Sequence, residues 1–163
     1  MTIATETRNR SSLADARATD GMATLGLGWW ESRRFSPGML PRTVREVPAV
    51  LALTVNLTYL VSIQRITPAR FTFKLEEHFG SNSALDVHAL REFGPLLKHH
   101  RQPLHDDLGI VTFSGVPSYQ VVQIDRSDDD ISVYRRLILP LANGDRLVAQ
   151  LLVLAAPGCP PSL

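Results

Sequence analysis

Cysteine, long apolar runs and an excess of either charge are all scarce in this sequence. The lone cysteine among its 163 residues, Cys159, rules out an intramolecular disulfide and a cysteine-rich zinc site. It sits in Ala-Pro-Gly-Cys-Pro-Pro-Ser-Leu, with no electropositive surroundings to activate a thiolate, and reads as an inert tail thiol. Such sparing use of cysteine fits a cytoplasmic protein. The most apolar stretch, residues 50–63, is 14 residues long and interrupted by Thr54, Asn56, Thr58 and Ser62. A membrane-spanning helix needs about 20 mainly apolar residues, so no membrane segment is expected. With 17 basic and 16 acidic side chains the net charge is +1, which supplies no basic field for nucleic acid. No phosphate-cradling glycine loop is present, and Phe113-Ser114-Gly115 lacks the first glycine of a Gly-x-Ser-x-Gly nucleophile turn.

What is present suffices for one domain. Hydrophobic residues make up 44% of the chain, enough for a core, and domains run to about 100–200 residues. Residues 1–21 carry Arg8, Arg10 and Arg17 against Glu6, Asp15 and Asp20, with no aromatic residue and no apolar core after a basic start. That excludes a secretory signal and predicts a disordered or frayed leader. Residues 22–155 form the expected domain, and residues 156–163 a proline-rich tail.

The first element expected is a short helix over residues 25–34, weakened by Gly26 and Gly28 and stopped by Ser36-Pro37-Gly38. It carries Trp29-Trp30. Adjacent tryptophans cannot share one helix face, so one can cap the core while the other meets a protein partner; the alternative is that both pack on the domain. From Leu53 the period changes to two: Leu53, Val55, Leu57, Tyr59, Val61 and Ile63 are apolar between polar neighbours, a half-buried strand. After Thr67-Pro68-Ala69, Phe71, Phe73 and Leu75 alternate with Thr72, Lys74 and Glu76, giving a second strand and an antiparallel hairpin.

The middle reads as helix. Ser83 and Asp86 form a capping-box-like pair before Leu85, Ala89, Leu90 and Phe93, and a further helical stretch runs to Gln102-Pro103. Residues 110–113 read as a short strand, 119–125 as another, and 131–141 and 146–154 as a pair around Asn143-Gly144, a hairpin turn. Two strands, helices, then three or four strands predict an α+β fold with helices on one face of an antiparallel sheet.

Several residues resemble a bacterial PAS-like family, whose members are small sensor domains. The features are Trp29-Trp30 on a leading helix, then Pro41-Arg42. Phe71-Thr72-Phe73-Lys74-Leu75, Phe79-Gly80 and Tyr134-Arg135-Arg136-Leu137-Ile138-Leu139-Pro140-Leu141 complete the set, the last being the most specific. The resemblance covers roughly residues 25–155. It departs at Glu76-Glu77-His78, where the family carries Ala-Gly-Thr, and at the missing Thr-Gly after Phe79-Gly80. It implies a PAS-like fold: a five-stranded antiparallel sheet with helices on one face and an N-terminal helix.

On this reading the protein is a stand-alone sensory or regulatory binding module with no catalytic activity. The expected pocket lies between sheet and helices, lined by Tyr59, Phe73, Leu90 and Phe93 and reached by Arg135. Arg135 shares a strand face with Ile131, Val133, Leu137, Leu139 and Leu141, while Arg136 faces the other side with Tyr134. An arginine on an apolar face must find a partner, an internal carboxylate (Glu76, Glu77 or Asp86) or an anionic ligand, or run its stem to the rim so that its head stays in water. With no residues left for an effector domain, output would pass through a protein partner or a homodimer, and Trp29 and Trp30 are the expected contacts. The sequence names no cofactor. Flavin photochemistry of the kind some PAS domains perform needs a cysteine in the helical middle, which is absent. The five histidines, His78, His88, His99, His100 and His105, lack the spacing of a metal site; haem ligation by His88 or His100 is a further option from the resemblance. Two alternatives remain: a structural interaction module without ligand, and a small metal-dependent enzyme using residues 99–107.

Overall fold

The computed structural model describes residues 5–52, 57–67, 70–80, 98–126, 130–144 and 147–158. In chain order the elements are β1 (Thr5–Ser11), α1 (Leu13–Thr19), α2 (Gly21–Ser32), α3 (Ala49–Ala52), β2 (Leu57–Thr67), β3 (Arg70–Gly80), α4 (Lys98–Ser114), β4 (Ser118–Arg126), β5 (Asp130–Ala142) and β6 (Val148–Pro157). The fold is α+β. All strand pairings are antiparallel, and the order across the sheet is β1-β4-β5-β6-β2-β3. Two units thus meet in one sheet. The hairpin β2–β3 docks through β2 onto β6, Leu57 opposite Ala155; the meander β4–β5–β6, with β1 added at the edge of β4, supplies the other four of the six strands, where five are expected.

Asn143-Gly144 makes the expected turn between β5 and β6, with Gly144 at φ +78°, the left-handed region where glycine carries no steric cost. The β2–β3 hairpin and β4, β5 and β6 lie where period-two alternation places them. Residues 53–56, the first part of the strand expected before Tyr59, and the helix expected around residues 83–97 fall outside the described residues.

Three expectations are corrected. Residues 5–11 of the leader form β1, which pairs with β4 from Thr5↔Asp125 to Ser11↔Tyr119, and residues 13–19 form α1. Main-chain pairing with an otherwise open edge orders a segment whose composition offers no apolar face. Residues 110–113 are the end of α4 rather than a strand. Asp107, Leu108, Val111 and Thr112 are its buried residues, a helical stripe against the sheet, and Gly115 at φ +65° ends it, its N–H donating to the Val111 carbonyl (2.9 Å).

The helices also do not share one face. The first layer of core joins Ala23, Leu27 and Trp30 to Leu60, Leu137, Leu139, Leu152 and Leu154. The second joins Leu108 and Val111 of α4 to Tyr59, Val61, Val122, Ile138, Leu151 and Val153. Successive side chains of a strand point to opposite faces, so β5 sends Arg135, Leu137, Leu139 and Leu141 towards α2 and Tyr134, Arg136 and Ile138 towards α4. Both faces of the central strands are covered.

α2 sits close to the sheet because of Gly26. A Cβ there would lie 2.6 Å from Leu137 Cδ2 and 3.1 Å from Leu154 Cδ2, whereas Gly28 on the outer side has nothing within 4 Å. Alanine favours a helix interior by about 1 kcal/mol over glycine. Gly28→Ala should therefore stabilise the protein by up to that amount. Gly26→Ala gains the same propensity but must displace a packed leucine, at about 1–3 kcal/mol, and should end at or below wild type. Denaturant midpoints of the two variants distinguish the two sites.

Candidate functional site

The most unusual group in the core is Arg136, fully buried in the layer under α4. A guanidinium withdrawn from water costs several kcal/mol, so its partners must be in place before the sheet closes over it. Among the described residues, three elements supply them. From α4, Asp107 accepts a hydrogen bond from Nη2 at 2.9 Å and forms the ion pair. From β4, directly opposite in register, Gln120 Oε1 accepts from Nη2 at 2.8 Å and from Nε at 3.2 Å. From β5 itself, Nη1 donates to the Tyr134 hydroxyl at 3.4 Å.

This arrangement fixes the Gln120 amide. Its oxygen is engaged twice by the cation, so the amide cannot be turned over without opposing two donors. Its Nε2 is then left buried with no hydrogen-bond partner among the described residues. An orphaned buried donor costs about 1–3 kcal/mol, a cost that an acceptor placed beside it would remove. The cluster therefore presents a cation neutralised by Asp107 and one directed donor, set among apolar side chains. That is the composition of a site that orients a small molecule carrying a carbonyl or carboxylate oxygen.

Tyr59 is buried and Phe73 partly buried in this same hydrophobic layer, so the structure brings both onto the face of Arg136. Leu90 and Phe93 lie outside the described residues. Arg135 does not reach this face. It points to the α2 side, where Nε lies 2.7 Å from Asp20 Oδ2. This is an internal pair, with a carboxylate from the α2 N-cap; Asp86 and the side chain of Glu77 lie outside the described residues. Asp20 is buried and does three things: Oδ1 accepts from the Met22 N–H (3.0 Å), while Oδ2 accepts from the Tyr119 hydroxyl (2.6 Å) and faces Arg135.

Trp29 and Trp30 are both buried in the α2 layer, at 8% and 6% exposure, so neither is exposed as a partner anchor. The Trp30 Nε1–H donates to the Pro140 carbonyl (2.8 Å), tying the helix to β5. Both can be buried because α2 lies in a trough between the sheet and the following loop, which Gln150 stitches down. That side chain donates to the Val44 carbonyl and accepts from the Val44 N–H, each at 2.9 Å.

The histidines of the metal alternative are His78 on β3 and His99, His100 and His105 on α4, with His88 outside the described residues. Among the described residues no group of three or more histidine, cysteine, aspartate or glutamate side chains is placed to hold a metal ion. No described helix is long and apolar enough to cross a membrane.

Sequence reasoning picked Arg135 and placed Arg136 on the opposite face, but missed that this face is buried too. The signal was available in Tyr134, Arg136 and Ile138 on one face of β5, opposite Gln120 and Val122 on β4. No protein-family model matches the chain, and no characterised protein or solved structure is significantly similar to it.

Proposed function

We infer that the protein is a PAS-like sensory or regulatory binding module that holds a small molecule between the sheet and α4 and acts through a protein partner or a homodimer. The observation that carries this reading is the buried Arg136 cluster with its leftover Gln120 Nε2 donor. A core built only for stability gains little from a buried ion pair, which hydrophobic residues of similar volume replace at no loss. The PAS-like part of the reading is supported by the hairpin-plus-meander sheet, which follows the order of elements that the resemblance implies. No catalytic role is included: an arginine, an amide, a phenol and a carboxylate committed to one another bind and orient. Cytoplasmic residence belongs to the same proposal.

Native mass spectrometry of the purified protein, followed by denaturing extraction, tests it. Wild type should retain an organic molecule. Gln120→Glu keeps an oxygen for Arg136 while removing the orphaned donor, so it should lose the molecule; thermal unfolding verifies that the variant folds. Arg135→Met should retain the molecule, because Arg135 faces away, and should instead lose stability with its Asp20 pair. Protein recovered with neither an organic molecule nor metal would overturn the reading in favour of an interaction module with a filled core. Stoichiometric bound metal would favour the enzyme alternative.

A further inference from the structure

The chain is almost neutral, yet residues 33–45 contain Arg33, Arg34, Arg42 and Arg45 and no acidic residue. Three of these guanidiniums, those of Arg33, Arg34 and Arg42, line one groove of about 690 Å³ beyond the end of α2, together with Phe35, Met39 and Leu40. Among the described residues no carboxylate pairs with any of the three. Glu31, two residues before Arg33, is held by Arg17 at 2.6 Å, and Glu46, which follows Arg45, does not line this groove.

Two of the cations are pre-set. Arg34 lies over the Trp30 ring at 4.8 Å and its Nε donates to the Met39 carbonyl at 2.9 Å; Arg33 lies over the Trp29 ring at 5.9 Å. Spacing of four on the helix end places each arginine on its own tryptophan, and the carbonyl end of α2 favours the charge. The far wall is equally fixed: the Thr43 N–H donates to the Ala142 carbonyl (3.2 Å) and the Pro41 carbonyl accepts from the Ala142 N–H (2.9 Å). Side-chain and loop ordering, the usual cost of binding at a surface, is thus largely met beforehand. At the rim Phe35 is 92% exposed and Met39 47%, a large apolar surface beside the cations.

We propose that this groove docks an acidic segment of a partner protein, its carboxylates on Arg33, Arg34 and Arg42 and an apolar side chain against Phe35 and Met39. Charge complementarity selects the acidic partner, since planar guanidiniums bind carboxylates in bidentate fashion. The exposed phenylalanine and methionine select a peptide over a bare anion or a nucleic-acid backbone, because neither offers apolar surface. The proposal names the partner surface of the module described above and rests on that reading. It also gives the buried tryptophans a role in recognition: they hold the arginines.

Panning random displayed peptides against the full chain, then titrating a labelled consensus peptide, tests it. The consensus should pair acidic with apolar residues. Its affinity should fall about tenfold or more in Phe35→Ala and in Arg33→Glu with Arg42→Glu, and should weaken as salt rises. These residues are exposed, and thermal unfolding verifies that the variants fold. Gln120→Glu, which empties the buried site, should leave peptide affinity unchanged, so failure of the ligand reading and failure of this one are distinct. No acidic consensus, or equal affinity in the groove variants, overturns the proposal. So does adsorption to phosphatidylcholine–phosphatidylglycerol vesicles, or self-association, that Phe35→Ala abolishes while no peptide binds.

Discussion

Asp107→Ala should lose about 3–5 kcal/mol of stability, because it takes from the fully buried guanidinium of Arg136 the carboxylate paired with it at 2.9 Å. Domains of this kind are stable by about 5–15 kcal/mol, so the variant should be close to unfolding at ambient temperature. Equilibrium urea denaturation reads the effect directly. The cost belongs to the stranded cation and not to the missing carboxylate alone, which makes a second result follow. Replacing both partners, Asp107→Leu with Arg136→Met, should recover most of the loss while still abolishing small-molecule retention. A loss below about 1 kcal/mol in Asp107→Ala would show that water or another acceptor reaches Arg136, and would remove the ground for the buried site.

Asp20→Ala should be nearly as damaging, and for a different reason. A helix N-cap is worth about 0.5–2 kcal/mol, and a buried hydroxyl deprived of its acceptor about 1–3 kcal/mol. Both losses fall together here, on the Met22 N–H and on Tyr119, and Arg135 is deprived of its carboxylate as well. The Arg135 side chain is 15% exposed, so solvent moderates that last part. The total expected is about 3–4 kcal/mol, less than the plain sum because the three share one side chain. Asp20→Asn keeps the cap and an oxygen for Tyr119 and should lose distinctly less. Equal losses for alanine and asparagine would mean that charge alone matters at this position. Because Asp20 lies on the α2 side of the sheet, neither variant should change what the α4 side retains.

The strands were legible because a period of two survives burial. In β5 the odd positions run Val133, Arg135, Leu137, Leu139 and Leu141, and the structure places Arg135 through Leu141 towards α2. What alternation does not tell is whether the other face is wet. Tyr134, Arg136 and Ile138 read as the outer face until α4 is known to cover it, and only the first part of α4, as far as Gln102-Pro103, reads as helix. Ile110, Val111, Thr112 and Phe113 are β-branched or aromatic, so local propensity favoured a strand; burial of Leu108, Val111 and Thr112 by the sheet decided for helix. Strand β1 left no trace of this kind. Thr-Glu-Thr-Arg-Asn-Arg-Ser has no apolar face, and what orders it is main-chain pairing with a strand far along the sequence. The candidate site was half legible for the same reason. Alternation puts Tyr59 and Phe73 on a buried face, but it selects Arg135 and sets Arg136 on the opposite side, and Asp107 and Gln120 become partners only through tertiary placement.

The sheet order has a consequence for how the chain assembles during synthesis. The hairpin β2–β3 is translated well before the strand that β2 leans on, β6, which is the last of the described elements in chain order, with Leu57 waiting for Ala155. β1 waits in the same way for β4, Thr5 for Asp125. Neither layer of the core can close on a nascent chain, since α2 and α4 both pack on β5 and β6. Until β6 leaves the ribosome the chain carries open strand edges and unburied tryptophans, and such long-range closure is slow. Chains cut short before β6 should therefore be substrates for chaperones and proteases, not partly working modules.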